Sequence, residues 1–123
     1  MKIAWVFPGQ GSQKIGMANK IINLPNAKDR FIYASRVFGK NLFEICENVS
    51  EKNNLDEDLN NTKNTQISLF LVESVLLDSL KENGFKPNFI AGHSLGEITA
   101  LYCGGVLSFE DSVLLIKERS KLM

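Results

Sequence analysis

Along the chain, short runs of hydrophobic residues alternate with segments in which hydrophobic residues recur at helical spacing. Apolar runs at 3–7 and 89–91 predict two buried strands, at 3–7 and 88–91. Residues 66–82 have helical spacing and are apolar on most sides, which predicts a buried helix. Shorter helices are predicted near 16–22, from Ala27 to Phe38, from Leu42 to Glu47, after the second strand, and from Ser108 onward. Strands alternating with helices indicate an α/β fold, a parallel sheet with flanking helices on both faces.

Turn-forming and polar residues separate these predicted elements. Pro25 marks a turn, Gly84 ends the long helix, and Pro87 prevents that helix from continuing into the second strand. Ser108, with Asp111 three residues later, resembles a capping box at the start of the last helix. Residues 50–64 are the most polar segment, and their composition favours a solvated connector over a recognition loop.

The segment GHSLGE at 92–97 lies between the second strand and a predicted helix. A Ser between two glycines at such a turn is typical of a nucleophile elbow, in which the glycines keep side chains away from a sharp backbone turn. The first N–H groups of the following helix lack partners and can stabilise a developing negative charge. The pattern favours a nucleophilic Ser94 over an ordinary glycine-rich turn.

A second glycine-containing loop follows the first strand. Gly9 and Gly11 flank Gln10 directly after the apolar run. Such a loop suits backbone N–H groups that approach a ligand oxygen closely, although a plain strand-to-helix turn is the alternative.

Charge and cysteine content narrow the classes of function. Lys+Arg and Asp+Glu number 14 each, so nothing in the net charge favours nucleic acid or a membrane surface as a partner. Cys46 and Cys103 have no metal-ligand spacing, so neither a metal site nor a disulfide framework is indicated, and Cys103 is predicted to be a small buried residue. The apolar runs are too short to span a membrane, and no secretory signal is visible.

Four motifs in this order resemble the malonyl-CoA:acyl carrier protein transacylases, which share their domain with the acyltransferase domains of polyketide synthases. They are FPGQGSQ at 7–13, Thr65-Gln66 at the start of a helix, GHSLGE at 92–97, and Arg119. The resemblance extends over residues 3–123. It implies a large α/β-hydrolase-like subdomain, a small ferredoxin-like subdomain inserted into it, and well over twice the length of this chain.

The resemblance therefore predicts that residues 1–123 are the N-terminal part of such a transferase domain. The ferredoxin-like small subdomain is expected to be absent from this chain, together with the second half of the large one. The histidine that serves the family as catalytic base lies in that half.

The resemblance also implies a reaction and a set of site residues. Malonyl passes from malonyl-CoA to the phosphopantetheine thiol of acyl carrier protein through a Ser94 acyl-enzyme, in fatty acid biosynthesis, with no bound cofactor and no metal. The expected location is the cytoplasm, or the plastid stroma in a eukaryote. The backbone N–H groups of Leu95, the residue after the nucleophile, and of Gln10 would form the oxyanion hole. Arg119 would bind the malonyl carboxylate through two parallel hydrogen bonds, and the matching positions Gln66 and Glu97 are expected to support the site.

His93 is the only histidine in the chain. Adjacent residues at a strand end point to opposite sides, so its ring is expected to face away from the Ser94 hydroxyl and to hold the elbow or the substrate. Two alternatives remain: a serine hydrolase of the lipase or esterase type, which needs neither the Gln10 loop nor Arg119, and a non-catalytic remnant. The 123-residue chain by itself is expected to be inactive and poorly folded, because it lacks a base and has only two predicted strands.

Overall fold

The computed structural model describes residues 1–48 and 55–123. Within these ranges the chain forms two strands, five α-helices and a short 3₁₀ turn. In chain order they are β1 (Ala4–Phe7), α1 (Ala27–Phe38), α2 (Leu42–Glu47), the 3₁₀ turn (Leu55–Glu57), α3 (Thr62–Glu82), β2 (Phe89–Gly92), α4 (Leu95–Cys103) and α5 (Phe109–Lys121).

The two strands lie side by side in parallel, with Ala4 paired to Phe89 and Phe7 paired to Gly92. One further backbone bond, from the His93 N–H to the Phe7 carbonyl at 3.0 Å, extends the ladder past the end of β2. The predicted α/β class, a parallel sheet with flanking helices, is confirmed. The carboxyl ends of both strands meet at one edge, where their two loops lie together.

Only one face of this sheet is covered within the described residues. Phe7 packs against Leu77 of α3 and Cys103 of α4, with Trp5 beside them. On the other face Val6 is 68% exposed and Phe89 is 57% exposed. The prediction of helices on both faces is therefore wrong for this part of the chain, because α3 and α4 pack on the same side of the strands.

Helix α3 is the centre of the fold and is buried along most of its length, as its sequence predicts. It begins at Thr62 rather than 66, because the Asn61 side chain caps it by accepting from the Lys63 N–H at 3.1 Å. Asn64 is fully buried and donates to the carbonyls of Asp56 and Asp58 at 2.8 and 2.9 Å. Because these residues are held by polar contacts, the sequence shows no helical spacing of apolar residues at 62–64. The sequence therefore places them in the predicted polar connector at 50–64, which is wrong. The rest of that predicted connector is partly the 3₁₀ turn, and residues 49–54 lie outside the described residues.

The helix predicted near 16–22 is not formed. This segment is a succession of turns, closed by bonds from Met17 N–H to the Lys14 carbonyl at 3.1 Å and from Ile21 N–H to the Ala18 carbonyl at 3.1 Å. Gly16 has φ 88°, a left-handed conformation that interrupts a right-handed helix. Ala18 and Ile21 are nevertheless buried, which explains the apolar spacing that resembled a helix.

A partly buried ionic network joins three helices behind the sheet. Arg30 of α1 donates to the Asp78 carboxylate of α3 at 2.6 Å and to the Tyr102 hydroxyl of α4 at 2.8 Å. The Tyr102 hydroxyl also donates to Asp78, and burial, with this bond, raises the pKa of Tyr102 to about 12. The guanidinium lies 4.9 Å from the ring centroid of Phe109 in α5. Removing either Arg30 or Asp78 would leave the other charge partly desolvated without its counter-charge.

Both cysteines are free and buried, as predicted for Cys103. Burial raises the pKa of the Cys46 thiol to about 11, and burial raises the pKa of Cys103 as well. No group of His, Cys, Asp and Glu suited to a metal ion occurs in the described ranges. In the same ranges no helix has both the length and the apolar character that crossing a membrane requires.

One buried acid, Glu73 of α3, has no charge partner within the described residues. It is 9% exposed and accepts a hydrogen bond from the Thr99 hydroxyl of α4 at 2.6 Å, while its second carboxylate oxygen is buried and has no hydrogen-bond partner in the same part of the chain. Burial raises the pKa of this carboxyl from 4.5 to about 7. The folded chain therefore favours the protonated form of Glu73.

This arrangement predicts a loss of stability as the pH rises from about 4.5 to 7. In that window the folded state keeps a proton that the unfolded state releases, so ionisation favours unfolding, by on the order of 3 kcal/mol at pH 8. Glu73→Gln should abolish this pH dependence and make the protein more stable at pH 8 than the native sequence. Urea unfolding at pH 5 and pH 8 measures the difference. Glu118→Gln, at an exposed acid on α5, should leave the profile unchanged; an unaltered profile in Glu73→Gln would contradict the assignment.

Candidate active site

Ser94 lies at a sharp turn between β2 and α4, as the elbow motif predicts. Its backbone has φ 56° and ψ −118°, a conformation that non-glycine residues rarely adopt. The turn is held by bonds from the Gly96 N–H to the His93 carbonyl at 3.0 Å and from the Glu97 N–H to the Ser94 carbonyl at 2.9 Å. Ser94 is partly exposed at the top of the turn, while Leu95 beside it is fully buried. The strain is therefore stored at Ser94, the residue that the sequence predicts to be a nucleophile.

The glycines around the elbow leave no room for a side chain. A Cβ on Gly96 would lie 1.9 Å from the Phe7 carbonyl oxygen, and one on Gly92 would lie 2.0 Å from the Gly96 carbonyl oxygen. A Cβ on Gly9, in the other loop, would lie 2.6 Å from the His93 carbonyl oxygen. These contacts are with backbone atoms, which cannot rotate away. The Gln10 loop and the elbow are thus pressed together at the sheet edge.

The Gln10 loop is anchored to the residues that precede and begin α3. Gln10 Nε2 donates to Thr62 Oγ1 at 3.1 Å, and Gln13 Nε2 donates to Asn60 Oδ1 at 2.9 Å. Gln13 Oε1 also accepts from the Gly11 N–H at 2.7 Å. Asn60 and Thr62 were missed by sequence reasoning, because nothing in a polar stretch marks which side chains face a loop 52 residues away in the chain.

The two backbone donors predicted from the motifs are both free. Within the described residues, neither the Gln10 N–H nor the Leu95 N–H makes a hydrogen bond. The Leu95 N–H belongs to the first turn of α4, whose positive dipole end faces the loop. Leu95 N would also lie 3.4 Å from a Cβ on Gly9, so the start of α4 is next to the Gln10 loop.

Arg119, Gln66 and Ser94 are brought together from three separate elements. Arg119 of α5 donates from Nη1 to Gln66 Oε1 at 2.5 Å and from Nη2 to Ser94 Oγ at 3.2 Å. Gln66 of α3 is 1% exposed and also contacts the sulfur of Met123 through Nε2 at 3.1 Å. The buried amide holds the guanidinium in place, and the other end of that guanidinium reaches the serine hydroxyl. Sequence reasoning named all three residues but gave no distance between them.

The remaining predicted residues lie apart from the hydroxyl. His93 is exposed and makes no side-chain hydrogen bond within the described residues. Glu97 is exposed on α4 and has no side-chain partner in the same ranges. No general base lies within hydrogen-bond distance of Ser94 Oγ in the described part of the chain. The site thus combines a strained serine, two free N–H donors and a fixed cation, an arrangement suited to acyl chemistry on an anionic acyl group.

Comparison with known proteins agrees with this geometry. The family model described as "Acyl transferase domain" matches residues 4–123. The malonyl CoA-acyl carrier protein transacylase of Synechocystis is 43% identical over the whole chain, and that of Bacillus subtilis strain 168 is 40% identical over 99% of it. The crystal structure of the Synechocystis transacylase superposes over the whole chain with a TM-score of 0.88 at 41% identity. A malonyl-transacylase in complex with a type II polyketide synthase acyl carrier protein superposes over 99% of the chain with a TM-score of 0.85 at 36% identity.

The chain belongs to the acyl transferase domain family. It spans 40% of the length of the Synechocystis relative and 37% of the Bacillus relative. In the two solved structures it covers 40% and 38% of the matched chain. The family predicted from the four motifs is therefore confirmed, as is the correspondence to one part of the longer relatives.

Because Gly96 lies so close to the Phe7 carbonyl, adding a single methyl group at position 96 should strongly lower the stability of the protein. Gly96→Ala places a Cβ against the Phe7 carbonyl and should destabilise the protein by more than about 2 kcal/mol, since backbone would have to move. Gly104→Ala is the matched control, because its Cβ would lie 3.4 Å from the nearest atom, the Ala100 carbonyl oxygen, at an ordinary φ of −80°. Thermal unfolding should separate the two variants. Similar unfolding temperatures for both would show that the strand and the helix tolerate separation here.

Proposed function

We propose that the protein containing this chain transfers a malonyl group from malonyl-CoA to the phosphopantetheine thiol of an acyl carrier protein, with Ser94 as the covalent carrier. The observation that carries the proposal is the 3.2 Å contact between Arg119 Nη2 and Ser94 Oγ. A fixed cation beside the nucleophile favours an acyl group that has a free carboxylate. The names of the Synechocystis and Bacillus relatives support the same reaction.

In the first half-reaction Ser94 Oγ attacks the thioester carbonyl of malonyl-CoA and gives its proton to a base. The carbonyl oxygen becomes an oxyanion, which the free N–H groups of Leu95 and Gln10 stabilise. The C–S bond then breaks, CoA leaves as the thiolate and is protonated by the same base, and malonyl remains as an ester on Ser94. The positive end of the α4 dipole adds to the stabilisation.

In the second half-reaction the thiol of the carrier protein attacks the Ser94 ester. Its proton goes to the base, the same two donors stabilise the second oxyanion, and the Ser94 C–O bond breaks with return of a proton to Oγ. The two half-reactions are chemically alike because both exchange an acyl group between oxygen and sulfur. The proposed reaction converts one thioester, malonyl-CoA, into another, the malonyl-carrier protein. Its steps need no cofactor.

The base is the one part of this mechanism that the described residues do not supply. His93 is exposed and without contact to Ser94 Oγ, and the buried thiols of Cys46 and Cys103 have raised pKa values that keep them protonated. We therefore propose that residues 1–123 are the N-terminal part of a transferase domain whose base follows in the chain. By themselves they are proposed to be inactive, since loss of one member of a nucleophile–base pair costs about 10⁴-fold or more.

Arg119 and Gln66 together would select the acyl group. Gln66 occupies Nη1 of the guanidinium at 2.5 Å, which fixes the plane of the fork while Nη2 remains on the side of Ser94. A malonyl carboxylate would replace the serine hydroxyl as the partner of Nη2 once Oγ is acylated. A neutral ester, the substrate of a lipase-type hydrolase, would offer this half-buried guanidinium no counter-charge, so the site gives the hydrolase alternative no support.

The covalent step predicts an isolable malonyl-enzyme. The test protein is a hybrid in which residues 1–123 are joined to the remaining part of the Synechocystis transacylase. Labelled malonyl-CoA should place one malonyl group on the hybrid, detectable by mass spectrometry of the intact protein, and Ser94→Ala should take up none. Residues 1–123 alone serve as the comparison and should show transfer near background. Label retained in Ser94→Ala would refute Ser94 as the carrier.

The guanidinium predicts substrate selectivity in the same hybrid. Arg119→Ala should reduce the stabilisation of the transition state for malonyl transfer by about 2–5 kcal/mol, the cost of removing one partner of a desolvated charge pair. Acetyl transfer should survive or improve. Measuring kcat/KM for malonyl-CoA and acetyl-CoA gives the selectivity ratio. Lys121→Ala, two residues along α5 at an exposed position, is the matched control and should change neither rate. Equal losses for the two substrates would show that Arg119 holds the fold rather than the substrate.

A further inference from the structure

A concave surface between α1 and α2 is unconnected with the Ser94 site. Its volume is about 640 Å³, and none of its lining residues belongs to the elbow, the Gln10 loop or α5. That volume is within the range of about 300–1,000 Å³ typical of small-molecule sites. This surface, called the α1–α2 groove below, takes no part in the acyl transfer proposed above.

The floor of the α1–α2 groove is apolar. Phe31 of α1 is 3% exposed, and its ring meets that of Phe43 edge to face with centroids 6.0 Å apart. Ile32 is 51% exposed and forms part of the wall, and Ile22 completes it from the turns that precede α1. An exposed Ile in a concavity, beside a fixed aromatic pair, would gain from contact with an apolar ligand.

The rim of the α1–α2 groove is cationic. Lys28, Arg36 and Lys40 line it, and no acidic residue is among the lining residues that the structure describes. Lys40 Nζ donates to Asn64 Oδ1 at 3.1 Å, whereas Lys28 and Arg36 have neither a salt bridge nor a side-chain hydrogen bond within the described residues. Two free positive charges therefore face an apolar floor.

The uncharged polar residues of the groove use their side-chain oxygens as acceptors within the fold. Ser35 Oγ accepts from the Leu42 N–H at 3.0 Å, and Asn41 Oδ1 accepts from the Glu44 N–H at 3.1 Å to cap α2. Because these oxygens already accept hydrogen bonds, the groove offers a ligand cations and hydrogen-bond donors together with apolar contact. Recognition of that kind requires an anionic head and an apolar body in one molecule.

We propose that the α1–α2 groove binds a free amphiphile that carries a carboxylate or phosphate head and a single alkyl chain. The head lies between Lys28 and Arg36, where the guanidinium fork meets two oxygens at once. The chain lies over Ile32 and the Phe31–Phe43 pair. A protein partner fits less well, because stable protein interfaces cover about 800 Å² on each side.

The test measures binding of four probes by calorimetry and by ¹H–¹⁵N spectra of the full chain: decanoate, decyl phosphate, decanol and decyltrimethylammonium. Decanoate or decyl phosphate should bind and shift amide resonances of α1 and α2, and comparing these two identifies the head. Decanol should bind about tenfold more weakly or worse, since it lacks the charge-assisted bonds, and the cationic probe should not bind. Equal affinity for decanol and the anions would overturn the proposal, as would shifts confined to other elements.

Variants separate the head from the chain. The double substitution Lys28→Gln with Arg36→Gln should lower the affinity for the anionic probes about tenfold and leave decanol unchanged. Ile32→Ser should weaken all probes that bind. Lys86→Gln changes an exposed lysine far from the groove in the chain and should leave the affinity unchanged. An equal loss of affinity in this variant would mean that binding is general charge attraction, and it would refute the site. The same variants are also measured in the hybrid with the Synechocystis transacylase. This second measurement decides the question even if the short chain does not fold. Absence of binding in the hybrid refutes the proposal.

Discussion

The rest of the structure depends on a close backbone contact between the end of β1 and the start of α4. Gly96 lies so near the Phe7 carbonyl that no side chain fits between them, and Gly9 is held in the same way against the His93 carbonyl. This contact fixes the parallel register of the strands and the entry angle of α4. It also brings two loops, separated by most of the chain, to one edge of the sheet. The positions of Ser94 and of both free N–H donors follow from it.

Helix α3 provides the second constraint, because three of its polar residues bind three different neighbouring helices. Gln66 holds Arg119 of α5, Glu73 accepts from Thr99 of α4, and Asp78 binds Arg30 of α1. These three residues are separated by the remaining, mostly apolar, surface of the helix. An apolar core alone would let the surrounding helices slide, whereas directional bonds at defined heights along α3 fix their positions. The orientation of Arg119 toward Ser94 therefore depends on α3 as much as on α5.

The sequence predicts most of the elements and the identity of the candidate site residues. Strands of high apolar content, α1 and α2, and the elbow are all recognisable from local pattern, because each depends on neighbours in the chain. The first turn of α3 was not predictable in this way, since Asn64 is buried through bonds to carbonyls rather than through hydrophobic contact. The turns at 16–22 imitate a helix because Ala18 and Ile21 are buried with helical spacing while Gly16 prevents the helix. The contact of Arg119 with Gln66 and Ser94 required coordinates, because three elements meet there and no local signal records their distances.

The parallel pairing of β1 with β2 has a consequence for the order in which the protein folds. Ile3 and Asn88, which are bonded to each other at the start of the ladder, are 85 residues apart in sequence. Contacts of such high sequence separation form slowly, because the entropy of closing the intervening loop is lost before the contact contributes. During synthesis on the ribosome β1 emerges before β2, the strand with which it pairs in the described residues. Helices α1 to α3 are then already available to pack, so the sheet edge that carries Ser94 is completed late, upon a helical scaffold that precedes it.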